Sequence, residues 1–129
     1  MKILLDTCTF LWIITDSPEL SKKAKEVYLD EENEVFLSSI SAWEISIKYK
    51  LKKLPLPSSP DKYIPYQREQ HQINSLALTE EATFFLPKLP DFHKDPFDRM
   101  LICQALADNM TLLSPDENII KYPVQVIWD

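Results

Sequence analysis

The sequence predicts an α/β fold in which a mostly parallel sheet of four to five strands lies between two layers of helices. Short apolar runs at 2–5 and 34–38 have the length of buried strands, and a helical pattern follows each of them. Strands that alternate with helices are typical of parallel sheets covered on both faces. The 129 residues suit one domain, 1–129, with enough chain to bury a hydrophobic core.

In the first half of the chain, apolar runs and capping residues mark the elements. These are, in order, a strand at 2–5, a helix at 8–15, a charged helix at 21–31, a strand at 34–38 and a helix from about 40 to 52. Ser39 or Ser41 is expected to cap the last helix, because a serine hydroxyl accepts bonds from the free N–H groups of a first turn. Three prolines between 54 and 60 then make a stiff connection.

The second half repeats the alternation with shorter elements. These are a helix at 61–70, a strand at 73–78, a helix at 79–87, a loop at 88–95, a helix at 96–109, a strand at 111–114, a helical turn at 116–121 and a strand at 124–128. Thr79 and Asp95 are predicted N-caps, and Pro96 suits the first position of its helix. The chain has no glycine, so Asn109 is expected in the left-handed conformation that ends a helix.

Composition excludes several functional classes. Without glycine there is no glycine-rich phosphate loop. The net charge of −6 argues against a broad surface for nucleic acid, although a local group of lysines at 48–53 could still hold a phosphate. No apolar run is long enough to span a membrane, and the start of the chain lacks a signal-peptide pattern, so a cytoplasmic protein is expected. Two cysteines make no disulfide framework.

Asp98 is notable because it lies on the apolar side of a predicted helix. At about 100° per residue, Leu101 and Ile102 flank it, and Ala105 follows on the same side. Carboxylates are rarely buried unless they are paired or bound to a metal ion. We therefore expect a partner or a site at the edge of the core, although an acid three residues after Asp95 can also serve the helix start.

Three other acids occupy comparable positions, and each also has an ordinary explanation. Asp6 follows the first strand and Asp116 follows a later one, where an acid can simply begin a helix. For Asp116, the N-cap of the helix that follows would be Ser114. Glu44 lies within the helix at 40–52 and can pair with Lys48 one turn later.

These separate explanations do not account for the expectation that all four acids lie at the same end of the sheet. Right-handed crossovers bring the ends of parallel strands, and the helices that follow them, to one end of the sheet. Carboxylates gathered there would repel each other unless a divalent cation neutralised them. Oxygen-only ligands select a hard cation, so we expect Mg²⁺ or Mn²⁺ at Asp6, Glu44, Asp98 and Asp116.

The same acids lie in segments that resemble the PIN-domain ribonucleases of the VapC type, which are toxins of toxin–antitoxin pairs. The resemblance covers nearly the whole chain. The matching segments are Leu4-Leu5-Asp6-Thr7, Leu11-Trp12, Ser38-Ser39-Ile40-Ser41-Ala42-Trp43-Glu44-Ile45, His93 to Ala105 (with Asp95-Pro96-Phe97-Asp98-Arg99 at its centre) and Thr111-Leu112-Leu113-Ser114-Pro115-Asp116. Two positions depart from the family pattern: Cys8 replaces a histidine or asparagine, and Ser114 replaces the commoner threonine.

The resemblance implies a three-layer α/β/α PIN-like fold and a metal-dependent endoribonuclease. In that reading the four acids hold Mg²⁺ or Mn²⁺, and water rather than a protein group attacks the RNA phosphodiester. It also implies a cognate antitoxin, whose tail covers the site, and a homodimer. Polar neighbours implied by the matching segments, or suggested as RNA contacts by their charge, are Thr7, Ser41, Lys48, Lys94, Asp95, Arg99 and Ser114.

Two alternatives remain at the level of sequence. The chain could be a catalytically silent module of the same fold that contacts RNA or a protein partner. A phosphotransfer enzyme with an aspartyl nucleophile is disfavoured, because Asp6 is followed by Thr7 and Cys8 rather than by an Asp-x-Asp pattern. His71 and His93 lack metal-ligand spacing and are interpreted as surface or loop residues.

Overall fold

The computed structural model describes residues 1–129 and contains five strands, seven α-helices and one 3₁₀ turn. The elements are β1 (Lys2–Leu5), α1 (Thr7–Ile14), α2 (Lys22–Leu29), β2 (Glu34–Ser38), α3 (Ser39–Lys50), α4 (Pro60–Gln70), β3 (Asn74–Leu76), α5 (Glu80–Thr83), the 3₁₀ turn (Leu86–Lys88), α6 (Pro96–Ala107), β4 (Thr111–Leu113), α7 (Glu117–Ile120) and β5 (Val126–Ile127). None of the helices is both long and apolar enough to cross a membrane.

The five strands form one sheet in the order β3-β2-β1-β4-β5, and every neighbouring pair is parallel. The central strand is β1, in which Ile3 pairs with Val35 on one side and with Thr111 on the other. The predicted α/β class and parallel sheet are confirmed. All strands consequently end at the same edge, where loops and helix starts can form a site.

Both faces of the sheet carry a hydrophobic core, which confirms the three-layer arrangement. Ile3 and Leu5 point to one face and pack with Phe10 of α1. Leu4 points to the other face and packs with Leu101 of α6. This alternation along β1, with Ile3, Leu4 and Leu5 all buried, is what a sheet covered on both sides requires.

Helix α3 begins at a different cap from the one predicted. Ser38, the last residue of β2, is the N-cap, and its Oγ accepts a hydrogen bond from the Ile40 N–H at 3.0 Å. The prediction of Ser39 or Ser41 was wrong, because the strand leads into the helix without a loop. The extended backbone of the final strand residue is already the conformation that a cap needs.

Two other local predictions needed correction. The helix predicted at 79–87 is only the single turn α5 followed by the 3₁₀ turn, because Pro87 has no N–H to donate to a preceding carbonyl. The cap of α7 is Asp116, which accepts from the Asn118 N–H at 2.8 Å, and not Ser114. The predicted caps Thr79 and Asp95 are confirmed.

Left-handed residues end four helices of this glycine-free chain. Asp16, Lys52, Gln72 and Asn109 have φ values of 50° to 60°. After Asn109, the N–H of the next residue bonds back to the Ala105 carbonyl at 2.8 Å, as in a Schellman motif. The prediction for Asn109 is confirmed, and three further side chains take the same backbone conformation.

Candidate active site

Asp6 lies directly beyond the end of β1 and is 4% exposed. It caps α1 by accepting from the Thr9 N–H at 2.8 Å, and the Ser114 hydroxyl donates to its Oδ2 at 2.5 Å. Burial raises the pKa of Asp6, and the charge of Asp116 adds to this effect, whereas the bonds from Ser114 and Thr9 oppose it. Asp6 is therefore a desolvated acid that accepts hydrogen bonds and has a negative neighbour.

Glu44 reaches the same region from α3 and is 8% exposed. The Thr7 hydroxyl donates to Oε1 at 2.6 Å, and Ser41 Oγ lies 3.0 Å from the Thr7 oxygen. Lys48 Nζ donates to Oε2 at 2.6 Å, which is the i,i+4 pair expected from the sequence. The hydrogen bond to Glu44 raises the pKa of Lys48, so this lysine stays charged beside the acids.

Asp98 lies in the first turn of α6, half-buried on the side that faces the core. Burial, followed by the charge of Asp95, raises the pKa of Asp98 to about 7, although the hydrogen bond from His93 lowers it. Asp95 itself caps the helix by accepting from the Phe97 and Asp98 N–H groups. The side chain of Asp98 bonds to the His93 ring instead of to the helix start.

The carboxylates meet in one cleft of about 370 Å³ at the carboxyl edge of the sheet. The residues that line it are Asp6, Thr7, Cys8, Leu11, Glu44, Lys48, Lys53, Leu54, Asp95, Asp98 and Asp116. All four predicted metal-site acids therefore share a cavity. With a fifth acid and only two lysines, the cleft has an excess of negative charge.

Cys8 also lines the cleft, at the position where the sequence departs from the family pattern. Loss of hydration, together with the charge of Asp6, raises the pKa of the Cys8 thiol to about 12. The thiol is therefore protonated at neutral pH and is a poor nucleophile.

Arg99, predicted as a possible RNA contact, points away from the cleft. Its Nη1 donates to the Pro90 carbonyl at 2.8 Å and to Tyr122 Oη at 3.0 Å, and its Nη2 pairs with Asp91 at 3.2 Å. These bonds hold the loop before α6. Lys94 is likewise absent from the cleft wall, whereas Lys53, which the sequence marked only as part of a basic run, belongs to it.

The types of donor in the cleft fit a hard divalent cation. Carboxylate and hydroxyl oxygens are the ligands that Mg²⁺ and Mn²⁺ prefer. Asp6 and Asp98 have raised pKa values, and Asp116 acts on both through its negative charge. A cation would relieve this repulsion.

Three of the four acids accept a hydrogen bond from another side chain. Ser114 bonds to Asp6, Lys48 to Glu44, and His93 to Asp98. No group of three or more His, Cys, Asp or Glu side chains is arranged to hold one metal ion as it stands. The residues are therefore of the types that bind a divalent cation, but their side chains would have to rotate before three or more of them could contact the same ion.

Sequence reasoning missed two residues beside the site. His93 was interpreted as a surface or loop histidine; it does lie in a loop, but its side chain is only 12% exposed and bonds to Asp98 at 3.2 Å. Tyr122, which is 3% exposed, lies 2.8 Å from His93 Nδ1. The one available signal for His93 was its place in the matching segment, five residues before Asp98.

A comparison with protein families and curated proteins gives two matches. The model of the PIN domain family matches residues 3–125. Ribonuclease VapC16 of Mycobacterium tuberculosis (strain ATCC 25618 / H37Rv) is 42% identical over 61 residues, which are 47% of this chain and 43% of that protein. The match therefore spans less than half the length of that curated relative.

Solved structures with the same fold include toxin–antitoxin complexes. VapBC2 from Rickettsia felis, bound to a promoter DNA fragment, matches over 100% of both chains with a TM-score of 0.75 and 16% identity. DNA-bound VapBC from Salmonella typhimurium matches 98% of this chain and 97% of that chain, with a TM-score of 0.68 and 15% identity. VapBC-1 from nontypeable Haemophilus influenzae has the same coverage, a TM-score of 0.65 and 17% identity. At such identities the likeness establishes the fold.

Proposed function

The chain belongs to the PIN domain family, and we propose that it is an endoribonuclease that requires Mg²⁺ or Mn²⁺. The observation that carries the proposal is the cleft, where Asp6, Glu44, Asp98 and Asp116 come together from four separate parts of the chain. The likeness to a protein named Ribonuclease VapC16 supports RNA as the substrate.

We propose that these four acids are the metal ligands. Thr7 and Ser41 would orient Glu44, and Ser114 would orient Asp6, through the hydrogen bonds they already make. When bound, the ion supplies Lewis acidity toward a phosphoryl oxygen and acidifies the water that attacks phosphorus.

The protein itself would bind and orient the RNA phosphate. Lys48 and Lys53 are the two cationic side chains of the cleft, and they are suited to the non-bridging oxygens of a phosphodiester. No side chain there is needed as a nucleophile, because the acids serve as ligands and the Cys8 thiol is protonated.

The proposal is tested by incubating the purified protein with transfer and ribosomal RNA in the presence of Mn²⁺. We expect cleavage by the wild-type protein and by Asp61→Asn, which changes an exposed acid on α4. Asp6→Asn and Asp98→Asn should lose at least about 100-fold in rate, since each removes a charged ligand. Cleavage that survives in both site variants would place the chemistry elsewhere, and a silent binding module would show no cleavage with any protein.

We further propose that the chain is the toxin of a type II toxin–antitoxin pair, with a cognate antitoxin and a homodimeric state. The structural relatives named VapBC support an antitoxin partner. Trp43 on α3 and Leu51 at its C-cap are exposed and offer apolar surface for protein contacts. Growth arrest on expression, relieved by the product of an adjacent small gene, would support the pairing, and size-exclusion chromatography would test the dimer.

The proposed place of action is the cytoplasm. Both cysteines, Cys8 and Cys103, are free thiols, which is the usual state of cysteine in a reducing compartment. Fractionation of cells that express a tagged chain would test this directly.

A further inference from the structure

Four side chains form a hydrogen-bonded chain behind the acidic cleft. Arg99 Nη1 lies 3.0 Å from Tyr122 Oη, Tyr122 Oη lies 2.8 Å from His93 Nδ1, and His93 Nε2 lies 3.2 Å from Asp98 Oδ2. Tyr122 and His93 do not line the cleft, whereas Asp98 does. These contacts link the Arg99 guanidinium, through the buried Tyr122, to one proposed metal ligand.

The protons of this chain can be assigned by counting donors at Tyr122. Its phenol oxygen has two lone pairs and one proton. Arg99 Nη1–H and the His93 backbone N–H both point to this oxygen, at 3.0 and 3.2 Å, and occupy the lone pairs. The phenol proton has two acceptors within reach, His93 Nδ1 at 2.8 Å and the His93 carbonyl at 3.5 Å. We assign it to the much shorter contact with Nδ1, because a third donor at 2.8 Å would have no lone pair to reach.

This assignment fixes the tautomer of the histidine. Nδ1 accepts from Tyr122, so the ring proton of the neutral imidazole is on Nε2. Nε2–H then donates to Asp98 Oδ2. Asp98 Oδ1 has no hydrogen bond within the chain, and Asp98 is one of the residues that line the cleft.

We propose that Tyr122 and His93 are positioning residues for Asp98: the phenol sets the Nε2–H tautomer, and the histidine holds one carboxylate oxygen so that the other can bind a metal ion. The metal-binding part rests on the proposed function. Partners that orient a ligating carboxylate in this way affect metal affinity strongly without touching the metal.

Two substitutions of His93 test whether its Nε2–H group is what positions Asp98. Gln can place an N–H close to where Nε2 lies and needs no partner to fix a tautomer, whereas Ala removes the donor. We expect His93→Ala to weaken Mn²⁺ binding about 10–100-fold and His93→Gln to stay within about 5-fold of the wild type. Binding of Mn²⁺ alone is measured by electron paramagnetic resonance, without RNA.

A double-mutant cycle separates positioning from a general effect on folding. Tyr122→Phe should weaken Mn²⁺ binding when residue 93 is His, because the tautomer is then no longer fixed. It should have little effect in the His93→Gln background, where no tautomer exists. An equal loss in both backgrounds, a Gln variant as weak as the Ala variant, or an Ala variant that binds normally would each overturn the proposal.

The tautomer itself is tested without metal or RNA. Nitrogen-15 chemical shifts of His93 at about pH 8 should show the proton on Nε2 in the wild type and a mixture of tautomers in Tyr122→Phe. A dominant Nδ1–H form in the wild type would overturn the proposal. If the tautomer is as expected but neither the wild type nor Asp98→Asn binds Mn²⁺, the proposed function fails and the histidine assignment stands.

Discussion

At the scale of single residues, the most consequential feature is the set of acids that the fold removes from water. Asp6 and Asp98 both have raised pKa values, with burial as the main cause. Their bonds to Ser114 and His93 offset only part of that effect. Carboxylates with pKa values raised in this way are common at functional sites, where a bound ligand can supply the compensating positive charge.

The raised pKa of Asp98 predicts that the metal-free protein loses stability as pH rises. Folded Asp98 holds its proton up to about pH 7, whereas in the unfolded chain it loses the proton near pH 4. Between these values the folded state binds more protons, so the free energy of unfolding falls with rising pH. We expect a loss of roughly 1–3 kcal/mol from about pH 5 to about pH 7.5, measured by urea unfolding in the presence of a chelator.

The control for this prediction is a pair of Asp→Asn variants. Asp98→Asn has no proton to release and should flatten most of the slope, although Asp6 contributes in the same direction. Asp61→Asn, on the exposed side of α4, should keep the wild-type slope. A wild-type stability that is constant over this range would contradict the raised pKa.

At the scale of elements, helix ends determine where the functional side chains point. The direct passage from β2 into α3 leaves Ser38 as cap and sets the helical register that turns Glu44 inward. Asp6, Asp95 and Asp116 are all N-caps of helices that start at this edge. The same aspartates therefore cap helices and line the candidate site.

Ser38→Ala should destabilise the protein by about 1–3 kcal/mol. The substitution removes the cap of α3 and also deprives the buried Gln104 amide of its hydroxyl partner. Ser39→Ala is the matched control, because Ser39 is exposed and does not cap the helix. Urea unfolding curves would reveal the difference, and equal losses in the two variants would argue against Ser38 as the cap.

Where a helix ends in a left-handed residue that is not glycine, a substitution by glycine is expected to stabilise the protein instead of destabilising it. Gln72 has a φ of 55°, so Gln72→Gly should remove the cost of a side chain in the left-handed region and stabilise by about 0.5–1 kcal/mol. Gln70→Gly, within the last turn of α4, should instead destabilise by a similar amount. Thermal melting of the two variants tests this directly, and a change of the same sign in both would refute it.

At the scale of the whole molecule, the cleft joins parts of the chain that are far apart in sequence. The loop after β1, the helices α3 and α6, and the loop after β4 each supply one acid. A ligand that binds all four would bind the folded chain and not the unfolded one. Its binding energy would therefore appear as stability of the entire domain.

We accordingly expect Mn²⁺ to raise the melting temperature, and to do so more at about pH 8 than at about pH 6. Protons compete with the metal for Asp98 below its pKa of about 7. Differential scanning calorimetry with Asp6→Asn and Asp98→Asn should show the shift lost, whereas Asp61→Asn should retain it. A shift of the same size in all four proteins would indicate binding away from the cleft.

Patterns in the amino-acid sequence are sufficient to predict the class of the fold and the identities of the candidate acids. Short apolar runs that alternate with helical patterns are typical of strands buried on both faces, and parallel strands end at one edge, so Asp6 and Asp116 could be assigned to that edge without coordinates. The apolar surroundings of Asp98 likewise follow from helical periodicity alone. The metal that these acids would bind stays a prediction.

The groups that surround the acids, in contrast, depend on how the elements pack in three dimensions. Whether Ser38 or Ser39 caps α3 depends on where the strand stops, and this is set by pairing with β1 and β3. The contact of His93 with Tyr122 joins the loop beside Asp98 to a residue 29 positions away along the chain, which no local pattern encodes. Hydrophobic periodicity specifies faces of elements, whereas hydrogen bonds between loops depend on how those elements finally pack.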